Sequence, residues 1–197
     1  AKNMGTHYLT GGLTSKGKWN FRGAGRKYFA ARIKTLGING AGGWLGGHTG
    51  FWSYATDNGG GREMDFLEVL TRNQYGNWAN MYLSPMSTLH QERAGASAAI
   101  GNRLVVPFDP AGSFNVYDCL WEPDRMHCRV NGMTILDIRE AGVGTRFGFG
   151  TQAFDVLLQT FIGEPDITQD AWLGIPVDSR AGSAVAQFDW FEYCSAP

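Results

Sequence analysis

Charge is scarce in this chain. Asp, Glu, Lys and Arg make up 18% of its 197 residues, and the net charge is −1. No basic surface for nucleic acid and no polybasic membrane patch is therefore encoded. Long apolar runs are missing too: none approaches the roughly 20 residues that a spanning helix needs, so no membrane partner is expected. The opening Ala1-Lys-Asn-Met-Gly has no apolar secretion core, which leaves a signal peptide absent or already removed. No Asn-x-Ser/Thr glycosylation acceptor occurs. The four histidines and three cysteines have no zinc-ligand spacing, and His48 and His90 read as surface or loop residues. Neither a sustained helical period nor an internal repeat is visible.

What is abundant is glycine, with 28 residues, and aromatic residues at 13%, within 43% hydrophobic residues overall. That balance favours a turn-rich β protein, and the length suits one domain over 1–197 with a sizeable core. Short apolar runs bounded by Gly, Asn, Asp and Pro predict strands over Leu9–Thr14, Tyr28–Thr35, Arg62–Leu70, Asn77–Leu83 and Arg103–Pro107. Further strands are predicted over Asn115–Glu122, Arg125–Val130, Met133–Ile138, Phe154–Ile162 and Ala184–Tyr193, with Asn131-Gly132 as a two-residue hairpin turn. The pattern fits an all-β jelly-roll sandwich of two antiparallel sheets best, although a β-barrel would look alike. Gly37 to Gly50 and Asp57 to Gly61 read as irregular segments, either cleft-bordering loops or tight crossings between sheets.

The cysteines are an odd set. With Pro123-Asp124 as a two-residue turn, Cys119 faces Cys128 at a non-hydrogen-bonded position, close enough for a cross-strand disulfide. Two small core residues fit that place equally well, leaving Cys194 single or a partner for either.

The stretch around which the chain is organised is Arg62-Glu-Met-Asp-Phe-Leu-Glu-Val-Leu70. It sets three carboxylates in a segment too apolar for a loop. In a regular strand Glu63 and Asp65 share a face and Glu68 points away. One extra residue between Asp65 and Glu68, a β-bulge, returns Glu68 to their side. The glutamate Cα atoms are then roughly 13 Å apart. Side chains leaning together can bring the carboxyls to about 5–5.5 Å, the separation of a retaining glycosidase. A strand whose acids merely face solvent is the alternative.

Glu63-x-Asp65-x-x-Glu68 resembles the E-x-D-x-x-E signature of glycoside hydrolase family 16 in its bulged, laminarinase-like form, a concanavalin A-like jelly roll. Other segments resemble the family in order along nearly the whole chain. They are Leu13 to Trp19, Tyr28 to Lys34 ("YFEARIK"), Gly50-Phe51-Trp52 ("AFW"), Tyr117 to Arg125 with Val130-Asn-Gly132, and Phe188 to Tyr193 ("YDWVxY"). Ala30 departs from the family glutamate, and Asn80-Met-Tyr82 stands where many members place a histidine.

The resemblance implies an endo-acting, retaining β-glycosidase, with Glu63 as nucleophile and Glu68 as acid/base. Asp65 between them would raise a neighbouring pKa and orient the nucleophile. The implied substrate is a polysaccharide, a β-1,3-glucan or a related β-glucan or galactan. Trp44, Trp52, Trp78 and Trp172 are the candidate sugar platforms, while Asn80, Tyr82 and Arg32 or Arg72 are candidate polar contacts. Trp19, Trp121 and Trp190 read as core. No cofactor is expected for catalysis. Asp189 matches an aspartate that binds a structural calcium in many relatives, or else simply caps or faces solvent. A secreted monomer is expected. Two other classes compete: a lectin-like binding protein on the same fold, against which both glutamates argue, and a polysaccharide lyase.

Overall fold

The computed structural model describes residues 11–16, 21–22, 25–36, 47–55, 62–70, 83–93, 96–139, 153–162 and 185–196. Twelve strands run through them: β1 (Gly11–Thr14), β2 (Phe21–Arg22), β3 (Arg26–Lys34), β4 (Gly47–Ala55), β5 (Arg62–Leu70), β6 (Met86–Arg93), β7 (Ala96–Arg103), β8 (Asn115–Glu122), β9 (Arg125–Val130), β10 (Met133–Arg139), β11 (Ala153–Ile162) and β12 (Gln187–Ala196). No described segment is an α-helix, and none is a helix long and apolar enough to cross a membrane.

The strands form two antiparallel sheets. A seven-stranded sheet has the order β1-β11-β4-β5-β6-β7, with β2 also on β11, and a five-stranded sheet has the order β10-β9-β8-β3-β12. The acidic strand β5 is thus central, flanked by β4 and β6. Aromatic side chains from both sheets interlock between the layers. Phe29 of β3 stacks on Phe66 of β5 at 4.8 Å, Phe51 of β4 meets Phe66 edge-on at 4.9 Å, and Trp121 of β8 meets Phe154 of β11 at 5.3 Å. All five are essentially inaccessible to water, each adding about 1.5–3 kcal/mol of hydrophobic stabilisation.

Strands β5, β8 and β9 fall where the pattern placed them. Asn131 and Gly132 both take positive φ, 47° and 80°, as a tight hairpin turn of the primed type requires. Cys119 does face Cys128 across the Pro123-Asp124 turn, yet both are buried free thiols, with Cys194 an exposed one. Of the two readings, small core residues is the one this structure takes.

Three expectations need correction. Gly47–Gly50 is strand, not loop: β4 is paired on both sides, and that pairing overrides the low strand propensity of glycine. The hairpin of β6 and β7 was not predicted, because Ala96-Ser-Ala-Ala-Ile-Gly101 holds a single β-branched residue and little alternation. Instead of a strand over Arg103–Pro107, β7 ends at Arg103, and Leu104 and Val106 donate singly to the carbonyls of Pro85 and Leu83. Trp121 is core as expected, but Trp190 is 39% exposed, because it pairs with outward-facing Arg32 on edge strand β12. Of the expected strand over Asn77–Leu83 all but Leu83, which is not in a strand, lies outside the described residues, as does Trp19.

Candidate active site

The site begins with a packing decision inside β5. Opposite β6 the register slips between Asp65 and Glu68, and opposite β4 Asp65 pairs with Trp52 while Leu67 pairs with Phe51. Phe66 is the extra residue. Both Phe66 and Leu67 are fully buried between the sheets, so the chain spends two consecutive residues on the core. Glu63, Asp65 and Glu68 are thereby left on the opposite face, the one expected to line the cleft. A bulge strands a backbone carbonyl, and here Ser87 Oγ donates to the Phe66 carbonyl at 2.8 Å in a buried hydrogen bond. The bulge is therefore held from both sides, by Phe29 stacking and by Ser87.

Neighbouring strands supply the polar surroundings. Thr88 Oγ1 donates to Glu68 Oε2 at 3.1 Å. His48 of β4 is buried, with Nε2 3.6 Å from Glu68 Oε1, and His90 of β6 sets its Nε2 3.0 Å from Asp65 Oδ2. Two glycines make this closeness fit. A Cβ on Gly50, which pairs with Glu68, would come within 2.9 Å of the His48 ring, and one on Gly101 within 2.9 Å of Thr88 Oγ1.

The histidines correct the sequence reading, which set both on the surface or in loops: both stand in strands, His48 buried and His90 partly exposed. The signal was alternation: His90 is two residues from Thr88 and four from Met86, and His48 is two from Gly50 and four from Trp52, so each shares the cleft face of its strand.

Crowding of like charges out of water sets the titration. Burial is the main reason that the Asp65 carboxyl is pushed up to about 8; the hydrogen bond to His90 opposes this, and Glu68 and Glu63 add to it. Glu63 is raised as well, first by burial, with His90 opposing and Glu68 adding. His90 is raised chiefly by its hydrogen bond to Asp65. At neutral pH the Asp65–His90 pair consequently keeps a proton, and Asp65, as a side-chain hydrogen-bond partner of Glu63, favours the Glu63 carboxylate.

Trp52 lies partly buried on the same face, opposite Asp65. Trp44, Trp78, Trp172, Asn80, Tyr82 and Arg72 lie outside the described residues. Arg32 is not in the site: it is on the outward face of the other sheet, ion-paired with Asp189 and set over the Phe114 ring at 4.8 Å. Arg32 is the cation that faces the Asp189 carboxylate here. Among the described residues, the grouping with metal-ligand proximity is Glu63, Asp65 and His90, whose ligand atoms lie within 4.8 Å of one another.

The sequence model of the glycosyl hydrolases family 16 matches residues 6–178. The chain belongs to that family. A search of curated proteins found no match. Among solved structures, a family 16 endo-glucanase from Bacteroides ovatus, in complex with G4G3G-2F-DNP, aligns with a TM-score of 0.69 at 18% identity, covering 93% of this chain and 74% of that one. The endo-β-1,3-glucanase of Pyrococcus furiosus aligns at 0.70 and 21%, covering 93% and 65%. A κ-carrageenase from Pseudoalteromonas carrageenovora aligns at 0.62 and 16%, covering 87% and 65%. At such identities these likenesses establish the jelly-roll fold. The chain spans about two thirds of the length of the Pyrococcus and Pseudoalteromonas proteins.

Proposed function

We propose that this family 16 member is an endo-acting, retaining β-glycosidase that cleaves a polysaccharide by double displacement. The substrate that fits best is a β-1,3-glucan or a related β-glucan or galactan. The observation that carries this reading is the bulge at Phe66, which turns three carboxylates of one central strand onto the same face of the sheet, away from the core. Glu68 donates its proton to the glycosidic oxygen while Glu63 attacks the anomeric carbon, so the C–O bond breaks as a glycosyl ester forms. Glu68 then takes a proton from water, which displaces Glu63 with net retention. Asp65 holds the Glu63 carboxylate by hydrogen bond and gives up none of its own atoms. The fold likeness to glucanases supports a glucan, and the likeness to a κ-carrageenase keeps a galactan in the substrate class. Such polymers are met outside cells, which makes the protein's place of action extracellular.

Glutamine substitutions test the roles. Glu63→Gln should abolish turnover of polysaccharide and of an activated aryl glycoside alike, since no intermediate forms without the nucleophile. Glu68→Gln should lose polysaccharide cleavage yet still form the intermediate from the activated glycoside, whose leaving group needs little protonation. Added azide should then release a β-configured glycosyl azide. Azide rescue of Glu63→Gln instead reverses the two roles. A wild-type protein that binds a polymer and cleaves none overturns the enzyme in favour of a binding module.

A further inference from the structure

The row of residues containing Glu63 continues past it. Tyr54 of β4 stands directly opposite Glu63, and Asp155 of β11 directly opposite Tyr54. Opposed residues of antiparallel strands share a face, so all three look into the cleft. Strands lie about 4.8 Å apart, which sets Asp155 about 10 Å from Glu63 along the backbone row. That is too far to touch the bond under attack and right for a neighbouring sugar unit.

The two residues differ in a telling way. Tyr54 is 42% exposed, although large hydrophobic side chains on this sheet are mostly buried. Its ring is nevertheless held, because Trp52 meets it edge-on with centroids 6.4 Å apart and planes at 71°. Asp155 is only 5% exposed. Burial raises its pKa, with Lys16 the charged neighbour that opposes. A carboxylate on this row accepts hydrogen bonds from a ligand that brings hydroxyls.

We propose that Tyr54 and Asp155 form a sugar-binding subsite beside the catalytic acids, built for an uncharged pyranose with free hydroxyls. The proposal deepens the glycosidase reading above and rests on it for the ligand's class. The Tyr54 ring takes the C–H face of the sugar, and Asp155 accepts hydrogen bonds from its hydroxyls. A sulfate ester or uronate at this place would set a second negative charge against a desolvated carboxylate. The subsite therefore selects neutral glucans over sulfated galactans.

Kinetics on a β-1,3-glucan, a mixed-linkage β-glucan and κ-carrageenan, with wild type, Tyr54→Ala, Tyr54→Phe and Asp155→Ala, test this. Tyr54→Ala should raise KM on the neutral glucans about tenfold, equal to about 1.4 kcal/mol, with kcat within about twofold. Tyr54→Phe, which keeps the ring, should stay near wild type. Asp155→Ala should lower the ratio of neutral to sulfated kcat/KM. An unchanged KM in Tyr54→Ala, or a wild type that prefers κ-carrageenan, overturns the subsite while the hydrolase stands. Calorimetric binding of a neutral glucan tetrasaccharide to Glu63→Gln, with and without Tyr54→Ala, separates the two claims. If wild type cleaves nothing but Tyr54→Ala weakens this binding, the hydrolase fails and the subsite stands. Neither binding nor cleavage of any neutral glucan overturns the subsite as well.

Discussion

On the outward face of the five-stranded sheet, Arg125 meets Asp137 at 2.7 Å, Arg129 meets Asp118 at 2.7 Å and Arg26 meets Glu122 at 2.6 Å, with Arg32 on Asp189 beside them. The cleft face of the seven-stranded sheet instead gathers Glu63, Asp65 and Glu68, and among the described residues their ion-pairing partners are His48 and His90. Both faces belong to sheets of the same sandwich, yet one pairs each of these acids with an arginine and the other lets acids crowd. Arginine keeps its charge at any working pH and fixes its carboxylate in the ionised form. Histidine yields its proton near neutrality, so the cleft acids can exchange theirs. Pairing makes a scaffold, whereas crowding against a titratable partner makes groups fit for proton transfer.

The sharpest way to break this comparison is to neutralise one acid on each face. Glu63→Gln should cost more than about a thousandfold in kcat, within the range that a nucleophile and its electrostatic setting supply. Asp137→Asn on the other sheet should leave kcat within about twofold under the same assay, since surface changes away from a site are near neutral. Similar losses from both would mean that the cleft is not where chemistry happens.

Next in size is the titration of Asp65 and His90. His90→Gln removes the neighbour that opposes the rise of Asp65, so the Asp65 carboxyl should climb beyond about 8. Retention of the Asp65 proton is what favours the Glu63 carboxylate, and the high-pH limb of kcat should therefore move upward, with kcat itself down roughly 10- to 100-fold. A pH–rate profile that drops without shifting would reduce His90 to packing. Stability carries the opposite sign from an ordinary paired acid. The native state holds the Asp65 proton up to about 8, whereas the unfolded chain releases it near 3.8. Between those values the native state binds more protons, so stability falls as pH rises. Asp65→Asn should thus raise Tm at pH 9 by at least about 5 °C, and by little at pH 3.5 where both states are protonated. A lower Tm at pH 9 would refute the burial cost.

How much of this was legible beforehand follows from where local signals meet long-range ones. The acids, the strand that bears them and the bulge could be read because motif and alternation conflict within six residues, and only an inserted residue resolves the conflict. Hairpin β8–β9 was equally clear, since its turn fixes its register. Strand β4 was hidden by glycines that look like loop; Gly50 is there because the His48 ring needs the space, a fact set by three-dimensional packing. His48, His90 and Tyr54 escaped for a related reason. Their strands were unpredicted or uncertain, and without a strand there is no face to assign them to. Ser87 could not be foreseen, because it answers a carbonyl orphaned 21 positions earlier.

The scaffold side of the comparison has its own test at Arg129. Asp118 is buried and its carboxyl is raised by that burial, with Arg129 opposing. Arg129→Met should therefore cost about 1–3 kcal/mol, the range for a buried polar group deprived of its partner. Ser87→Ala should cost a similar amount, and in addition lower kcat by loosening the bulge that carries Glu68. Equal kcat losses in the two variants would erase the distinction between a pair that holds structure and a contact that holds the site.

The smallest expected effect lies at Asp189, and it separates two accounts of that residue. Arg32 and Asp189 are each about two-fifths exposed, so water and salt screen their attraction. An exposed pair of this kind contributes about 0–1 kcal/mol. Asp189→Asn should accordingly move Tm by no more than about 4 °C. If the arginine is the carboxylate's working partner, a calcium chelator should leave Tm unchanged in wild type and variant alike. If a calcium ion is held there instead, the chelator should lower wild-type Tm by several degrees, because a ligand bound only to the native state stabilises it by mass action. The same chelator should then do nothing to Asp189→Asn, whose Tm would already be low. Salt offers an independent check: raising ionic strength should weaken the Arg32–Asp189 contribution while leaving the buried Asp118–Arg129 pair largely intact.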